Sequence, residues 1–223
     1  MMAPKARGTS LVNQAIIQAR VMNCDLPARY FISQQILFEK LDQKLVDDVL
    51  TEIDQSERIN THDDHIYHGR IYHCLRKTLA ILCSIGHAPQ IYEFCKHSSL
   101  HDRDLPFSKD QLYPFLTNDY NLVDRFYSIQ YTFLPVVLKE KEMRNPQLLD
   151  ELEIVPIIKS ELGAFGVCGT VSKIKIHPEY DQLIWMPALD EEKVCLNPDL
   201  EMQNKLLRVC CLTILARVRT DQA

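Results

Sequence analysis

The chain has 223 residues, of which 46% are hydrophobic and 25% are charged, a composition typical of a soluble globular protein with a buried core. Its net charge of −5 at pH 7 predicts no broad basic surface for nucleic acid. No run of about 18 apolar residues occurs, so we expect no membrane span. The eight cysteines form no C-x-x-C pair and no export signal precedes them, which disfavours a zinc ribbon and favours free thiols in the cytosol or nucleus.

A flexible tail is expected over residues 1–10, followed by an irregular helical domain over residues 11–145. The first strong pattern is SQQILFEKLDQKLVDDVLTEID, which begins at Ser33. Apolar residues recur there every three to four positions, and Ser33 stands where an N-cap is needed, so the stretch predicts one helix. Its apolar stripe consists of Ile36, Leu37, Leu41, Leu45, Val46, Val49, Leu50 and Ile53.

Three further helices are predicted before residue 145. The stretch IYHCLRKTLAILCSIGH repeats the helical spacing, and Gly86 suits its end. Pro89 opens the next segment, PQIYEFCKH, at a position that favours a helix start. DYNLVDRFYSIQYTFLPVVLKEKE predicts a long aromatic-rich helix that Pro135 should kink or break.

The pattern changes near Pro146, and we place a domain boundary between residues 145 and 156. VPIIKSEL and GTVSKIKIH predict two short strands joined by a glycine-containing turn. LEMQNKLLRVCCLTILARVRT predicts a last helix. The expected fold is therefore mainly α, with a helical domain followed by a small β-hairpin and a C-terminal helix over residues 146–223.

Three of the six glycines, Gly163, Gly166 and Gly169, fall within the connection between these two strands. Glycines at such spacing let backbone N–H groups approach a phosphate closely. One form of this loop, G-x-G-x-x-G, opens a helix and binds dinucleotides. Another, G-x-G-x-x-G-x-V, turns between two antiparallel strands in protein kinases. The strand pattern after Val171 favours the second form, although an ordinary hairpin turn would have a similar sequence.

Two other patterns are candidate sites. HDDHIYHGRIYHC carries His62, His65 and His68 at spacings that allow metal chelation, or it is a polar helix start whose imidazoles face solvent. Cys168, between the glycines, is a candidate nucleophile or simply a small loop residue. The aromatic run FYSIQYTFLP lacks interleaved basic residues, so core packing is favoured there over stacking on nucleobases.

Three phrases resemble a family of filamentous-fungal protein-kinase-like proteins, in which a helical N-terminal region is followed by a kinase domain. HDRDLPFSKDQL (101–112) is similar to the family's D-x-D-L-P-F segment. RFYSIQYTFLPVVL (125–138) is similar to its F-x-x-x-Q-W-x-F-L-x-P-V-F segment, with Tyr131 in place of the tryptophan. GTVSKIKIHPEYDQL (169–183) is similar to its second N-lobe strand.

The resemblance implies that Gly166, Gly169 and Val171 belong to a loop for ATP. The first glycine of the pattern falls on Ala164, with Gly163 one residue early, so either this position departs from the pattern or the loop holds one extra residue. No V-A-I-K follows; Lys193 is the nearest candidate for the phosphate-binding lysine, and Glu201 for its helix partner.

The sequence contains no H-R-D-x-x-x-x-N, D-F-G or A-P-E, so no catalytic residue is assigned. We expect a truncated, non-catalytic, pseudokinase-like chain that acts inside the cell through a protein partner, without nucleic acid or membrane. The alternatives are a Ser/Thr-kinase fragment that binds ATP and is completed by missing sequence or another chain, and a metal-dependent module built on the three histidines. ATP is the only cofactor considered, and no metal is expected.

Overall fold

The computed structural model describes residues 7–24, 29–57, 64–97, 100–116, 119–139, 151–166 and 169–182. Helices account for 62% of the interpretable residues, and the remaining regular structure consists of small sheets. The prediction of a mainly α chain is therefore confirmed. The predicted C-terminal helix lies outside the described residues.

The described residues contain eight α-helices and six short strands in a mixed order. The helices are α1 (Arg7–Gln18), α2 (Gln34–Lys40), α3 (Gln43–Glu57), α4 (Asp64–Cys74), α5 (Arg76–Ser84), α6 (Ile91–Lys96), α7 (Lys109–Leu112) and α8 (Tyr120–Gln130). The strands are β1 (Arg20–Met22), β2 (Tyr30–Ile32), β3 (Leu138–Lys139), β4 (Ile157–Gly166), β5 (Gly169–Ile176) and β6 (Asp181–Gln182).

The chain divides into two compact units. We call Met1–Val21 together with Tyr30–Leu134 the helical unit, and Met22–Arg29 together with Pro135–Ala223 the hairpin unit. The helical unit thus ends at Leu134, before the predicted boundary between residues 145 and 156. Helix α8 ends at Gln130, a 3-10 turn over Tyr131–Phe133 follows, and the helical path stops before Pro135.

Helix α5 forms the centre of the helical unit. All seven residues from Lys77 to Cys83 are buried, so the helix is covered on every side rather than along one stripe. A helix in this position needs apolar residues all round, and LAILC supplies them. The surrounding core includes buried residues from the other helices of the unit: Val12, Ile16, Leu37, Val46, Val49, Leu50, Ile53, Ile71, Phe94 and Phe126.

Both long helices predicted in the first hundred residues are interrupted in the structure. Ser33 is the N-cap of α2, as predicted, but α2 ends at Lys40 and α3 begins at Gln43. The Asp42 carboxylate accepts a hydrogen bond from Leu45 N–H at 2.8 Å and so starts a new helix. The whole predicted apolar stripe still reaches the core, because six of its members are buried and Ile36 and Leu45 pack against them.

The second interruption falls at Leu75, between α4 and α5. At the other end of α5, Gly86 has φ of +78°, a left-handed conformation that glycine adopts without strain, and this confirms the predicted helix end. Pro89 lies in the 3-10 turn that leads into α6, as its sequence position indicated.

The expected tail over residues 1–10 is wrong for residues 7–10, which belong to α1. Glu52 of α3 accepts hydrogen bonds from Gly8 N–H at 2.7 Å and Thr9 N–H at 3.1 Å. These bonds satisfy two amides that a helix start leaves unpaired. A Cβ at Gly8 would lie 2.8 Å from the Val49 Cα, so the glycine permits the close approach of α1 to α3. Because Thr9 and Glu52 are 43 residues apart in the sequence, the local composition predicted a flexible tail here instead of a helix.

A single buried glutamine fixes the segment before α7. Gln130, fully buried at the end of α8, accepts a hydrogen bond from Phe107 N–H and donates one to Phe107 C=O, both at 2.9 Å. The Phe107 ring packs against Phe94 and Phe126, with centroids 6.1 and 6.5 Å away. The Gln130 side-chain amide therefore satisfies both backbone groups of Phe107, as a neighbouring β-strand would.

We predict that Gln130→Met destabilises the protein by about 3 kcal/mol, because a near-isosteric apolar side chain leaves both Phe107 backbone groups buried without a partner. Urea unfolding followed by circular dichroism measures the change. The matched control is Gln14→Met on the exposed side of α1, which we expect to change the free energy of unfolding by no more than about 0.5 kcal/mol. Equal effects of the two substitutions would contradict the assigned role of Gln130.

In the hairpin unit, β4 and β5 form an antiparallel pair and β3 pairs with β6 in parallel. Several backbone contacts hold the base of the hairpin. His177 N–H donates to Pro156 C=O at 2.9 Å, and Cys24 N–H donates to Ile157 C=O at 3.0 Å. The Asn23 side-chain amide donates to Val155 C=O at 2.7 Å. The two predicted strands and their hairpin are thus confirmed.

Candidate functional site

The glycine-containing turn is the first candidate site. Gly166 ends β4, Gly169 begins β5, and the two are register partners across the hairpin. The candidate nucleophile Cys168 and its neighbour at 167 lie outside the described residues. Because Gly169 opens a strand rather than a helix, the turn has the strand–turn–strand arrangement and differs from the helix-opening dinucleotide loop.

Strand β4 carries one more residue than β5 beside this turn. Leu162 is paired with Ser172, and Phe165 with Thr170, so Gly163 and Ala164 together stand opposite Val171 alone. Two residues opposite one define a β-bulge, a feature that glycine favours. The structure therefore locates an extra residue within the very stretch where the sequence pattern departs from G-x-G-x-x-G.

A second one-residue bulge lies at the base of the hairpin. Ile157 is paired with Ile176, whereas Lys159 is paired with Lys175, so Ile158 is extra on β4. A one-residue shift exchanges the two faces of a strand. The bulge keeps the exposed Lys159 beside the exposed Lys175, away from the face of the buried Ile157. This bulge thus keeps the exposed lysines and the buried isoleucine on opposite faces of the hairpin.

Among the other residues implied for ATP binding, Val171 lies beside this turn. Val171 lies in β5 opposite the bulge, two residues after Gly169. Lys193 and Glu201, the candidates for the kinase lysine and its partner, lie outside the described residues.

The histidine cluster is the second candidate. His62 lies outside the described residues, and His65 belongs to α4. His68 Nδ1 lies 3.5 Å from Asp47 Oδ1, and its Nε2 lies 3.7 Å from Asp54 Oδ2. Its two nitrogens thus face different carboxylates of α3. Among the described residues no group of three His, Cys, Asp or Glu side chains has an arrangement that could hold a metal ion.

The D-x-D-L-P-F segment has a structural role that its sequence did not reveal. Asp102 Oδ2 accepts from Lys77 N–H at 2.6 Å, and Oδ1 accepts from Thr78 N–H at 2.9 Å and from the Thr78 hydroxyl at 2.8 Å. These are first-turn groups of α5, whose own N-cap, Leu75, provides no side-chain bond. Asp102 therefore caps the central helix from 24 residues away.

The aromatic run FYSIQYTFLP serves packing. Phe126 and Phe133 are buried, and Phe126 stacks on Phe94 with centroids 5.7 Å apart. The prediction of core packing is confirmed for these rings.

Cys83 and Cys95 are also buried, and burial raises the pKa of each thiol to about 12, so neither is a ready thiolate.

We predict a pH-dependent effect of Asp102→Asn. Burial raises the pKa of Asp102 above its ordinary value of 3.8, so the folded chain binds this proton more tightly than the unfolded chain. The stability of the wild type should therefore fall, relative to the asparagine variant, as the pH rises through 3.8 towards neutrality. Urea unfolding over a pH series measures this difference.

Asp48→Asn, which removes an exposed carboxylate on α3, is the control for that series. The prediction is contradicted if the free energy of unfolding of the wild type stays constant or rises, relative to that of Asp102→Asn, as the pH is raised. At neutral pH, Asp102→Ala should lower the free energy of unfolding by about 2 kcal/mol, since it removes the acceptor of the Lys77 and Thr78 amides.

Comparison of the chain with protein-family models, with curated proteins and with solved structures finds no significant match. Within the part of the chain that the structure describes, no helix has both the length and the apolar composition needed to cross a membrane.

Proposed function

We propose that this chain is a non-catalytic, protein-kinase-like protein, in which the helical unit acts as an interaction or regulatory module. The observation that carries the proposal is the register of the hairpin. Its glycine pair stands at the facing ends of two antiparallel strands, and the bulge at Gly163 and Ala164 lies where the sequence departs from the kinase pattern.

The bulge gives this argument a concrete form. Removing Ala164 from LGAFGVCGTV leaves G-F-G-V-C-G-T-V, which matches G-x-G-x-x-G-x-V at every position. It would also leave Gly163 opposite Val171 and keep the pairings on either side. The resemblance to a kinase loop thus requires one inserted residue, and this insertion falls within the bulge of β4.

Catalysis is not part of the proposal, because the sequence contains neither the catalytic-loop aspartate motif nor the D-F-G motif. Phosphoryl transfer requires a group that positions the nucleophile and ligands that hold Mg²⁺. The hydrogen bonds of Asp102 and Gln130 support a structural role for the other two phrases that resemble the family. Those phrases build the helical unit, which we propose to present a binding surface.

The alternative is a kinase fragment that binds ATP and is completed by other sequence or another chain. The strand–turn–strand geometry of Gly166 and Gly169 favours it over a dinucleotide-binding alternative. In that case Gly163, Gly166, Gly169 and Val171 would surround the nucleotide.

Incubation of the purified chain with labelled ATP, Mg²⁺ and a general protein substrate tests the absence of catalysis. We expect no transfer of phosphate above a protein-free blank. Transfer that is lost in Lys193→Ala would overturn the non-catalytic proposal and establish the enzyme alternative.

A thermal-shift experiment at millimolar ATP tests the loop. We expect little stabilisation of the wild type and a larger shift after deletion of Ala164, because the deletion restores the spacing that lets amides reach the phosphates. The matched control is deletion of Ile158, which removes the other bulge and leaves the glycine spacing unchanged.

Equal shifts for both deletions and the wild type would contradict the kinase interpretation of the hairpin. A wild-type shift that disappears in Gly166→Val/Gly169→Val would favour the ATP-binding alternative instead. Circular dichroism of each variant establishes that it remains folded.

A further inference from the structure

Two tyrosine rings form an exposed pair on the helical unit. Tyr113 follows α7 and Tyr120 opens α8; their ring centroids lie 5.4 Å apart in an edge-to-face arrangement. Tyr120 is 74% exposed and Tyr113 is 37% exposed, so they are among the few large apolar residues of the described structure that face solvent. Pro114, beside them, is also exposed.

Two exposed carboxylates flank this pair. Asp110 precedes Tyr113 by three residues across the α7 turn, and Asp119 immediately precedes Tyr120. One oxygen of Asp119 accepts the Asn121 and Leu122 amides as the N-cap of α8, which leaves its second oxygen outside these bonds. The rings therefore lie between negative charges at the surface.

The neighbouring turn of α8 shows which ligand such an arrangement accepts. The Lys109 ammonium lies 5.4 Å from the centre of the Tyr127 ring and 2.6 Å from Asp124 Oδ1. Its hydrogen bond to Asp124 raises the pKa of Lys109, so the cation is stabilised there. One tyrosine face and one aspartate thus already hold a cation of the chain itself.

The Tyr113–Tyr120 pair offers the same two kinds of group, aromatic rings and carboxylates. Lys109 also interacts electrostatically with Tyr113, but its charge is matched by Asp124. Among the described residues, neither Asp110 nor Asp119 forms an ion pair.

We propose that the surface formed by Asp110, Tyr113, Asp119 and Tyr120 docks a basic segment of a partner protein, whose arginine or lysine side chain lies on the tyrosine rings. Cation–π attraction and the two carboxylates both select a positive charge. The inference rests on the proposed role of the helical unit as an interaction module and names the chemistry of its partner.

The test uses the full chain and short fluorescein-labelled peptides of Gly-Arg, Gly-Gln and Gly-Glu repeats, with binding followed by fluorescence anisotropy. We expect the Gly-Arg peptide alone to bind. Tyr113→Leu/Tyr120→Leu keeps the net charge and much of the apolar area but removes both π faces, so its Kd for Gly-Arg should rise about fivefold or more.

Matched variants separate the ring faces from general charge attraction. Tyr113→Phe/Tyr120→Phe keeps the faces and should bind as the wild type does. Asp119→Ser keeps an N-cap and removes a charge, so it should weaken binding, whereas Asp48→Asn on α3 removes the same charge elsewhere and should not.

An unchanged Kd in the double leucine variant overturns the inference, as does equal binding of the Gly-Gln or Gly-Glu peptide or the absence of Gly-Arg binding. Circular dichroism excludes loss of fold in each variant. These outcomes are distinct from the ATP and phosphate-transfer experiments, which test the hairpin and do not depend on this surface.

Discussion

The burial of α5 on all sides is the constraint on which the helical unit depends. A helix in the interior cannot turn its first amides to water, so partners must come from elsewhere in the chain. Asp102 supplies them at Lys77 and Thr78, and thereby fixes the segment that leads to Phe107. Gln130 then holds the backbone of Phe107. Two polar side chains thus connect the central helix to the aromatic core.

This arrangement explains what two segments of the family resemblance do in the molecule. Asp102 and Gln130 belong to two phrases that resemble segments of the kinase-like family. In the structure both make hydrogen bonds to backbone groups of their own unit. The partner surface that we propose around α7 and the start of α8 uses other, exposed residues.

Much of the helical architecture could be predicted from apolar spacing, which identified the stripe of α2 and α3 and the end of α5 at Gly86. The interruptions at Leu41 and Leu75 could not, because the apolar period continues through both of them. The start of α1 depends on Glu52, and the cap of α5 on Asp102, and contacts between residues so far apart leave no local signal. The hairpin was predictable from the alternation of β-branched residues and from the glycines between the two strands. Its bulges, in contrast, appear only in the register of the strand pairing.

The bulge at Gly163 and Ala164 also has a consequence for how this hairpin is compared with a sequence pattern. Antiparallel strands absorb an odd insertion as a bulge, so the residues beyond it keep their partners although their count from the turn has changed. A sequence pattern with fixed spacing is then offset by one position, although the pairing of the two strands continues in register. Comparing such hairpins by cross-strand partner, and not by distance along the chain, avoids this one-residue offset.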